Sequence, residues 1–217
     1  MGIAILLRHG HSTANADGLL TGRRPGVLLS EKGEGQARAL APAFAGVDLA
    51  SVSVSPLERT QQTARLVFGN REFINEPEII ECDYGDWSGR LLSELATEPL
   101  WQRVQAEPSS VRFPNGESMT AMAARSVTAI ADRSQADGLH VFVSHGDIIK
   151  AAISDASGAP FDAFQRIVVD PCSLSIIVYG PHRRLLASNI PISGATEVLA
   201  GLHASDRGTV GGGGGAA

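Results

Sequence analysis

A chain of 217 residues with 43% apolar content and a mean hydropathy near zero is expected to form a single globular α/β domain, burying roughly 70% of its unfolded surface. The net charge of −5 is scattered without a basic stripe, which argues against a nucleic-acid surface, and no apolar run approaches the ~20 residues needed to cross a bilayer. The chain enters its first strand with no basic leader, and its cysteines, Cys82 and Cys172, suit a reducing compartment with one bridge left open, so a cytoplasmic protein is expected.

Residues 3–7 are an unbroken apolar run, the pattern of a strand buried on both faces. The run stops at Arg8-His9-Gly10, and His11-Ser12-Thr13-Ala14-Asn15 follows. Open parallel sheets hold ligands at the carboxyl ends of their strands, and these donors suit an anion. A loop over 17–29 contains Thr21-Gly22-Arg23-Arg24-Pro25-Gly26, and Ser30 caps a predicted helix over 31–44. The second strand is expected at 49–54. Ser55-Pro56-Leu57-Glu58 then reads as a capping box with proline at the first helical position, opening a helix to about Phe68 with Arg59 in its first turn. A third strand is expected over 73–80, ending at Glu81-Cys82-Asp83-Tyr84-Gly85-Asp86-Trp87.

Leucines 91, 92 and 95, then Leu100, Trp101 and Val104, suggest two short helices broken near Pro99. Pro108 and Pro114 bracket a loop that ends at Gly116-Glu117-Ser118. A helix over 118–136 shows Met122, Val127 and Ile130 at helical spacing. A short buried strand, 141–143, leads to Ser144-His145-Gly146-Asp147 and a helix over 147–156. Two further strands, 173–179 and 184–189, meet at a turn at Gly180-Pro181. No periodicity is read from Gly194 onward, so 1–193 is expected to be the domain and 194–217 a flexible, glycine-rich tail. The alternation predicts an α/β fold, a three-layer α/β/α sandwich with a mostly parallel central sheet.

On this reading, reactive residues follow four strands: Arg8-His9-Gly10, Arg59, Glu81 and Ser144-His145-Gly146. Parallel strands bring those ends to one sheet edge, and the helix after His145 points its amide-rich end there. Two arginines, two imidazoles and a helix start describe a pocket for a dianion, phosphate above all. The added groups suggest phosphoryl transfer. A neutral imidazole can attack phosphorus, arginines can hold the equatorial oxygens, and a carboxylic acid can protonate the leaving alkoxide and then activate water.

Other phosphatase designs fit poorly. Ser88 and Val178 stand where a Cys-x5-Arg motif needs arginine, and no nucleotide P-loop is present. His9-x-His11 with Asp147 lacks the further ligands of a two-metal site, so no metal and no cofactor are expected.

These motifs resemble those of the histidine phosphatase superfamily, phosphoglycerate-mutase-like branch: residues 7–15, Ser55-Pro56-Leu57-Glu58-Arg59-Thr60, Glu81 with Tyr84-Gly85-Asp86-Trp87, Gly116-Glu117-Ser118, and Ser144-His145-Gly146. The chain also looks close to an actinobacterial subgroup of phosphomutases or acid phosphatases. The resemblance implies the three-layer fold and a phosphohistidine mechanism. His9 would be the nucleophile, Arg8, Arg59 and His145 would hold the phosphoryl group, and Glu81 would be the acid/base. Ser12, Asn15, Thr21, Gly22 and the Gly146 amide would complete the substrate contacts.

His11 replaces the family's usual glutamate or glutamine, and Ser12 its threonine. The 83–117 segment lacks the long basic insertion of the glycolytic mutases, which favours hydrolysis. The expected partner is a small-molecule phosphate ester, with no nucleic acid or membrane and with a homodimer left open. A phosphomutase is the alternative activity, and a non-catalytic phospholigand-binding module the alternative class.

Simpler roles are preferred elsewhere. His140 and His182 are taken as solvated, and His203 as part of the tail. Trp87 and Trp101 are taken as packing residues, and Cys82 as a buried structural thiol. Arg23 and Arg24 are taken as part of a solvated loop in preference to a site for a second anionic group, and a place at the pocket mouth is not preferred for Arg112, Phe113 and Asn115.

Overall fold

The computed structural model describes residues 1–202; His203 and the glycine run lie outside the described residues. In chain order, β1 (Gly2–Arg8), α1 (Thr13–Ala16), β2 (Leu19–Leu20) and α2 (Glu31–Leu40) precede β3 (Leu49–Val54), α3 (Glu58–Phe68) and β4 (Ile74–Asn75). Next come β5 (Arg90–Leu91), α4 (Leu92–Leu95), α5 (Pro99–Ala106), α6 (Met119–Arg133) and β6 (Gly138–Ser144). The described chain closes with α7 (Gly146–Ser157), β7 (Leu174–Tyr179), β8 (Arg184–Ile190) and α8 (Ile192–Gly201).

Six strands form one sheet in the order β4-β3-β6-β1-β7-β8, while β2 and β5 pair separately. The first four are mutually parallel, β7 runs antiparallel to β1, and β8, antiparallel to β7, returns to the direction of the first four. Successive side chains of a strand face opposite sides of a sheet, and β1 divides accordingly. Ala4 and Leu6 join the apolar layer beneath α6 and α7, whereas Ile3, Ile5 and Leu7 join the layer shared with α2, α3 and α8. Helices therefore cover both faces, as the alternation of elements predicts.

Register places the chemistry. Arg8 of β1 pairs with Ser144 of β6, and Val54 of β3 pairs with Val143. His9, His145 and Ser55 consequently leave three adjacent parallel strands at the same level. Ser30 caps α2 by accepting from the Gly33 amide, as expected, but the helix tightens into a 3-10 turn over Ala41–Phe44, where Pro42 lacks the donor an α-helix needs.

Three expectations are corrected. The strand over 73–80 is reduced to β4, because Pro77 cannot donate to a ladder and opens a 3-10 turn, Pro77–Ile79. Glu81 therefore arrives from a turn and not from a strand end. The Ser55–Glu58 capping box is not made: Leu57 is the N-cap of α3, and the Ser55 hydroxyl is engaged by His145. Residues 194–202 are not the flexible tail expected, since α8 packs Ala195 and Leu199, and its C-cap Leu202, into the core; the rest of that expectation lies outside the described residues.

Candidate active site

The carboxyl edge of β1, β3 and β6 opens into a cavity of about 420 Å³. Of the residues named from sequence, Arg8, His9, Ser12, Asn15, Thr21, Gly22, Arg59, Glu81 and Gly146 line it, and His145 stands fully buried behind Arg59. His9 leaves β1 with its Nδ1 2.8 Å from its own neighbour's carbonyl, Gly10 O. A carbonyl only accepts, so Nδ1 carries the proton and Nε2 the lone pair. That lone pair accepts from Arg59 Nε at 3.2 Å. Burial, then the charges of Arg59 and Arg8, hold the ring well below the ordinary histidine range, so it is neutral.

His145 has the complementary tautomer. Its Nδ1 accepts from Arg59 Nη2 at 3.2 Å, which leaves Nε2–H to donate to Ser55 Oγ at 2.7 Å. Burial and then Arg59 also hold this ring neutral, and the imidazoles meet edge to face at 5.2 Å. Arg59 Nη2 further donates to Gly22 O at 2.9 Å. A side chain at Gly22 would conflict with that approach, since its φ is +52° and a Cβ would lie 2.9 Å from the Tyr84 ring.

Arg8 Nη1 donates to Val169 O, whereas Arg8 Nε and Arg59 Nη1 are buried with no protein partner. Buried guanidinium donors without partners are costly, and an anion in the cavity would satisfy them. Gly146 begins α7 close to Arg8, where the helix start adds backbone N–H groups and positive potential.

Glu81 supplies a carboxyl group that is only 8% exposed. Burial first, and then the negative charge of Asp147, push its pKa up to about 7 against the pull of Arg59 and Arg8. One oxygen accepts the Cys82 amide at 3.0 Å. The Glu81 carbonyl is clamped by Arg23 Nε at 2.8 Å and Arg125 Nη2 at 3.2 Å. Both arginines also donate to Glu117 Oε1, as does the Asp83 amide. The Gly116-Glu117-Ser118 motif thus acts as a brace for the Glu81 loop. Arg23 is a correction: it is not a solvated loop residue but is partly buried in this brace, because Glu81 O and Glu117 supply its acceptors.

Ser12 caps α1 and exchanges hydrogen bonds with Asn15, fixing two neighbouring polar residues in the wall. Arg112, Phe113 and Asn115 lie away from the cavity. Phe113 packs on Tyr84 and Trp87, Asn115 donates to Asp86, and Arg112 reaches Gly116 O. Trp87 stacks on Trp101, and both cysteines are free and buried. His182 is exposed, but His140 is a correction: it is 4% exposed, bonded to Ser51 Oγ and Ala136 O, because β6 extends back past it to Gly138.

Sequence reasoning passed over Lys150, Gln165 and the apolar lining from Leu19, Leu20, Leu92, Ile167, Val168 and Val169, and considered Asp147 only as a metal ligand. Helical spacing offered a signal for two of them, since Gly146, Asp147 and Lys150 share one face of a helix. Among the described residues, no three His, Cys, Asp or Glu side chains group as a metal site.

A doubly covered sheet whose edge gathers two arginines, two imidazoles and a buried carboxyl group offers a pocket suited to an anion on an α/β sandwich. The chain matches the family model of the histidine phosphatase superfamily (branch 1) over residues 4–190, and it belongs to that superfamily. It is 34% identical over 178 residues to the adenosylcobalamin/alpha-ribazole phosphatase of Escherichia coli, covering 76% of this chain and 84% of that one. It is 32% identical over 160 residues to the 2,3-bisphosphoglycerate-dependent phosphoglycerate mutase of Thermoplasma acidophilum, covering 71% of this chain and 76% of that one. Among solved structures, the alpha-ribazole phosphatase of Shigella flexneri superposes with a TM-score of 0.76 at 30% identity, over 86% of this chain and 96% of that one.

Proposed function

We propose that this protein is a metal-independent phosphatase that hydrolyses small phosphomonoesters through a phosphohistidine on His9. The observation that carries the reading is the His9 tautomer: Nδ1–H is committed to Gly10 O, and the unprotonated Nε2 is directed at Arg59 among buried cationic donors. The phosphoryl group enters between Arg8 and Arg59, whose unpartnered N–H groups take its oxygens, and Arg59 Nε exchanges the His9 lone pair for phosphate. His9 Nε2 forms the bond to phosphorus as the ester oxygen departs. His145 stays neutral, and its Nδ1 lone pair, by holding Arg59 Nη2, aims that guanidinium at the phosphoryl oxygens. Glu81, protonated near neutral pH, delivers its proton to the departing alkoxide. The resulting carboxylate then takes a proton from the water that attacks phosphohistidine, releasing phosphate and restoring both groups.

The names of the relatives divide between phosphatases and mutases. Hydrolysis is the reading favoured here, because residues 83–117 fold into short elements that contribute only Tyr84 and Leu92 to the cavity, with no added basic wall around a bisphosphate. The test is phosphate release from p-nitrophenyl phosphate and from 3-phosphoglycerate in excess EDTA. Release that persists in EDTA and exceeds formation of 2-phosphoglycerate is expected. Activity that vanishes in EDTA and returns with magnesium, or interconversion that outruns release, would contradict it.

A further inference from the structure

We propose that the cavity wall formed by Asp147, Lys150 and Gln165 selects an electrically neutral, hydroxylated alcohol, so that the ester split here is a phosphorylated polyol or sugar. The inference rests on the phosphatase reading above and adds the identity of the leaving group. Gly146 sits against Arg8 at the phosphoryl end, and Lys150 is four residues further along α7, about 6 Å by helical rise. That separation suits a hydroxyl two or three carbons from the ester oxygen.

The three side chains are held in place from outside the helix. Tyr84 OH donates to Asp147 Oδ2 at 2.8 Å, and Lys150 Nζ donates to Gln165 Oε1 at 3.0 Å. The Gln165 amide in turn reaches Val104 O at 3.4 Å, and the Lys150 ammonium lies 5.3 Å above the Phe164 ring. Lys150 Nζ and Asp147 Oδ1 are 3.9 Å apart, and each side chain is about one-fifth exposed.

Charge decides what this end accepts. Arg8 and Arg59 offset the phosphoryl dianion, and Glu81 enters the first step protonated. The remaining pair, Asp147 and Lys150, cancels. A carboxylate reaching for Lys150 meets Asp147 as well, and an ammonium reaching for Asp147 meets Lys150. Either ion gives up hydration for little net attraction. A hydroxyl is donor and acceptor at once. It can donate to Asp147 Oδ1 while accepting from Lys150, which satisfies both charges. Leu19, Leu20 and Leu92 on the cavity wall suit the C–H faces of such a molecule. A plain alkyl alcohol would desolvate the pair and leave it unmatched.

The experiment compares kcat/KM for p-nitrophenyl phosphate, n-propyl phosphate, glycerol 1-phosphate and 3-phosphoglycerate at one pH in EDTA. Glycerol 1-phosphate is expected to exceed both propyl phosphate and 3-phosphoglycerate by about tenfold or more, the worth of one hydrogen bond to a charged group. Lys150→Met should compress the glycerol-to-propyl ratio by about the same factor. Asp147→Asn leaves Lys150 uncompensated and should turn preference toward 3-phosphoglycerate, an inversion that loss of packing alone would not produce. A wild-type preference for 3-phosphoglycerate, or ratios unmoved in both variants, would overturn the inference. Turnover of the aryl ester without preference for the hydroxylated one would overturn it alone. No turnover of any of these esters would overturn the phosphatase reading with it.

Discussion

Arg59 touches both imidazoles of the site, and burial first, then its charge, keeps both rings neutral. Its Nε donates to His9 and its Nη2 to His145, so each ring must present a lone pair to it. The two backbone and side-chain acceptors on the far sides, Gly10 O and Ser55 Oγ, then fix opposite tautomers. Glu81 is the counterpart: a carboxyl group that burial keeps protonated while both histidines stay neutral. Glu81→Gln keeps the acceptor for the Cys82 amide but removes the transferable proton. Its kcat/KM should fall by about 10²–10⁴-fold on an alkyl phosphate and much less on p-nitrophenyl phosphate, whose leaving group needs little protonation. In the wild type, the alkyl-ester rate should decline as pH rises past about 7, where Glu81 loses that proton, while the aryl-ester rate holds. Parallel pH profiles on both esters, or an equal defect in the variant, would remove Glu81 from the acid role.

At the scale of elements, legibility depended on whether one segment carried its own signal. The run Ile3–Leu7, the serine-interleaved strand β3 and the cap at Ser30 are local patterns, and each forms as read. Strand β4 is shorter than read because edge pairing, proline and the need to turn Glu81 toward the cavity outweigh the apolar content of 73–80. Ser55 shows a different limit. A Ser-x-x-Glu sequence marks a capping box only when its hydroxyl has nothing better to bond, and His145 comes from ninety residues away. Helix α8 was missed although Ile192, Ala195, Leu199 and Leu202 recur at helical spacing, because its glycines, Gly194 and Gly201, argue against a helix locally. The brace of Arg23, Arg125 and Glu117 beneath Glu81 was beyond reach, since it joins three segments that only the fold brings together. The candidate site was the more legible part: its residues lie in recognisable local motifs, whereas the wall of Asp147, Lys150 and Gln165 carries none.

For the whole molecule, the same three groups tie stability to pH. Unfolded histidines bind protons below about 6.5, but buried His9 and His145 do not, so their contribution is complete above that pH and lost as pH falls through it. Glu81 acts in the opposite sense. Its pKa is raised from 4.5 to about 7 in the fold, so its contribution is present below 4.5 and lost as pH rises toward 7. Two histidines outweigh one carboxyl group between those limits, and stability should rise with pH from about 5 and level off near 7. Glu81→Gln removes the opposing member. Denaturant unfolding should find the variant more stable than the wild type at pH 8, on the order of 3 kcal/mol, and nearly equal at pH 4.5. A variant less stable than the wild type at pH 8 would show that the buried carboxyl group is not held at such a cost.

The central claim is that His9 carries the phosphoryl group, and trapping the intermediate tests it most directly. The wild-type protein is mixed with a radiolabelled phosphomonoester in EDTA and quenched within the first turnover. Label that is stable to base, labile to acid and located on His9 by peptide mapping is predicted. His9→Ala should take up none, while still binding vanadate through Arg8 and Arg59. Label that persists in His9→Ala, or that base releases as it would an acyl phosphate on Glu81 or Asp147, would contradict the account.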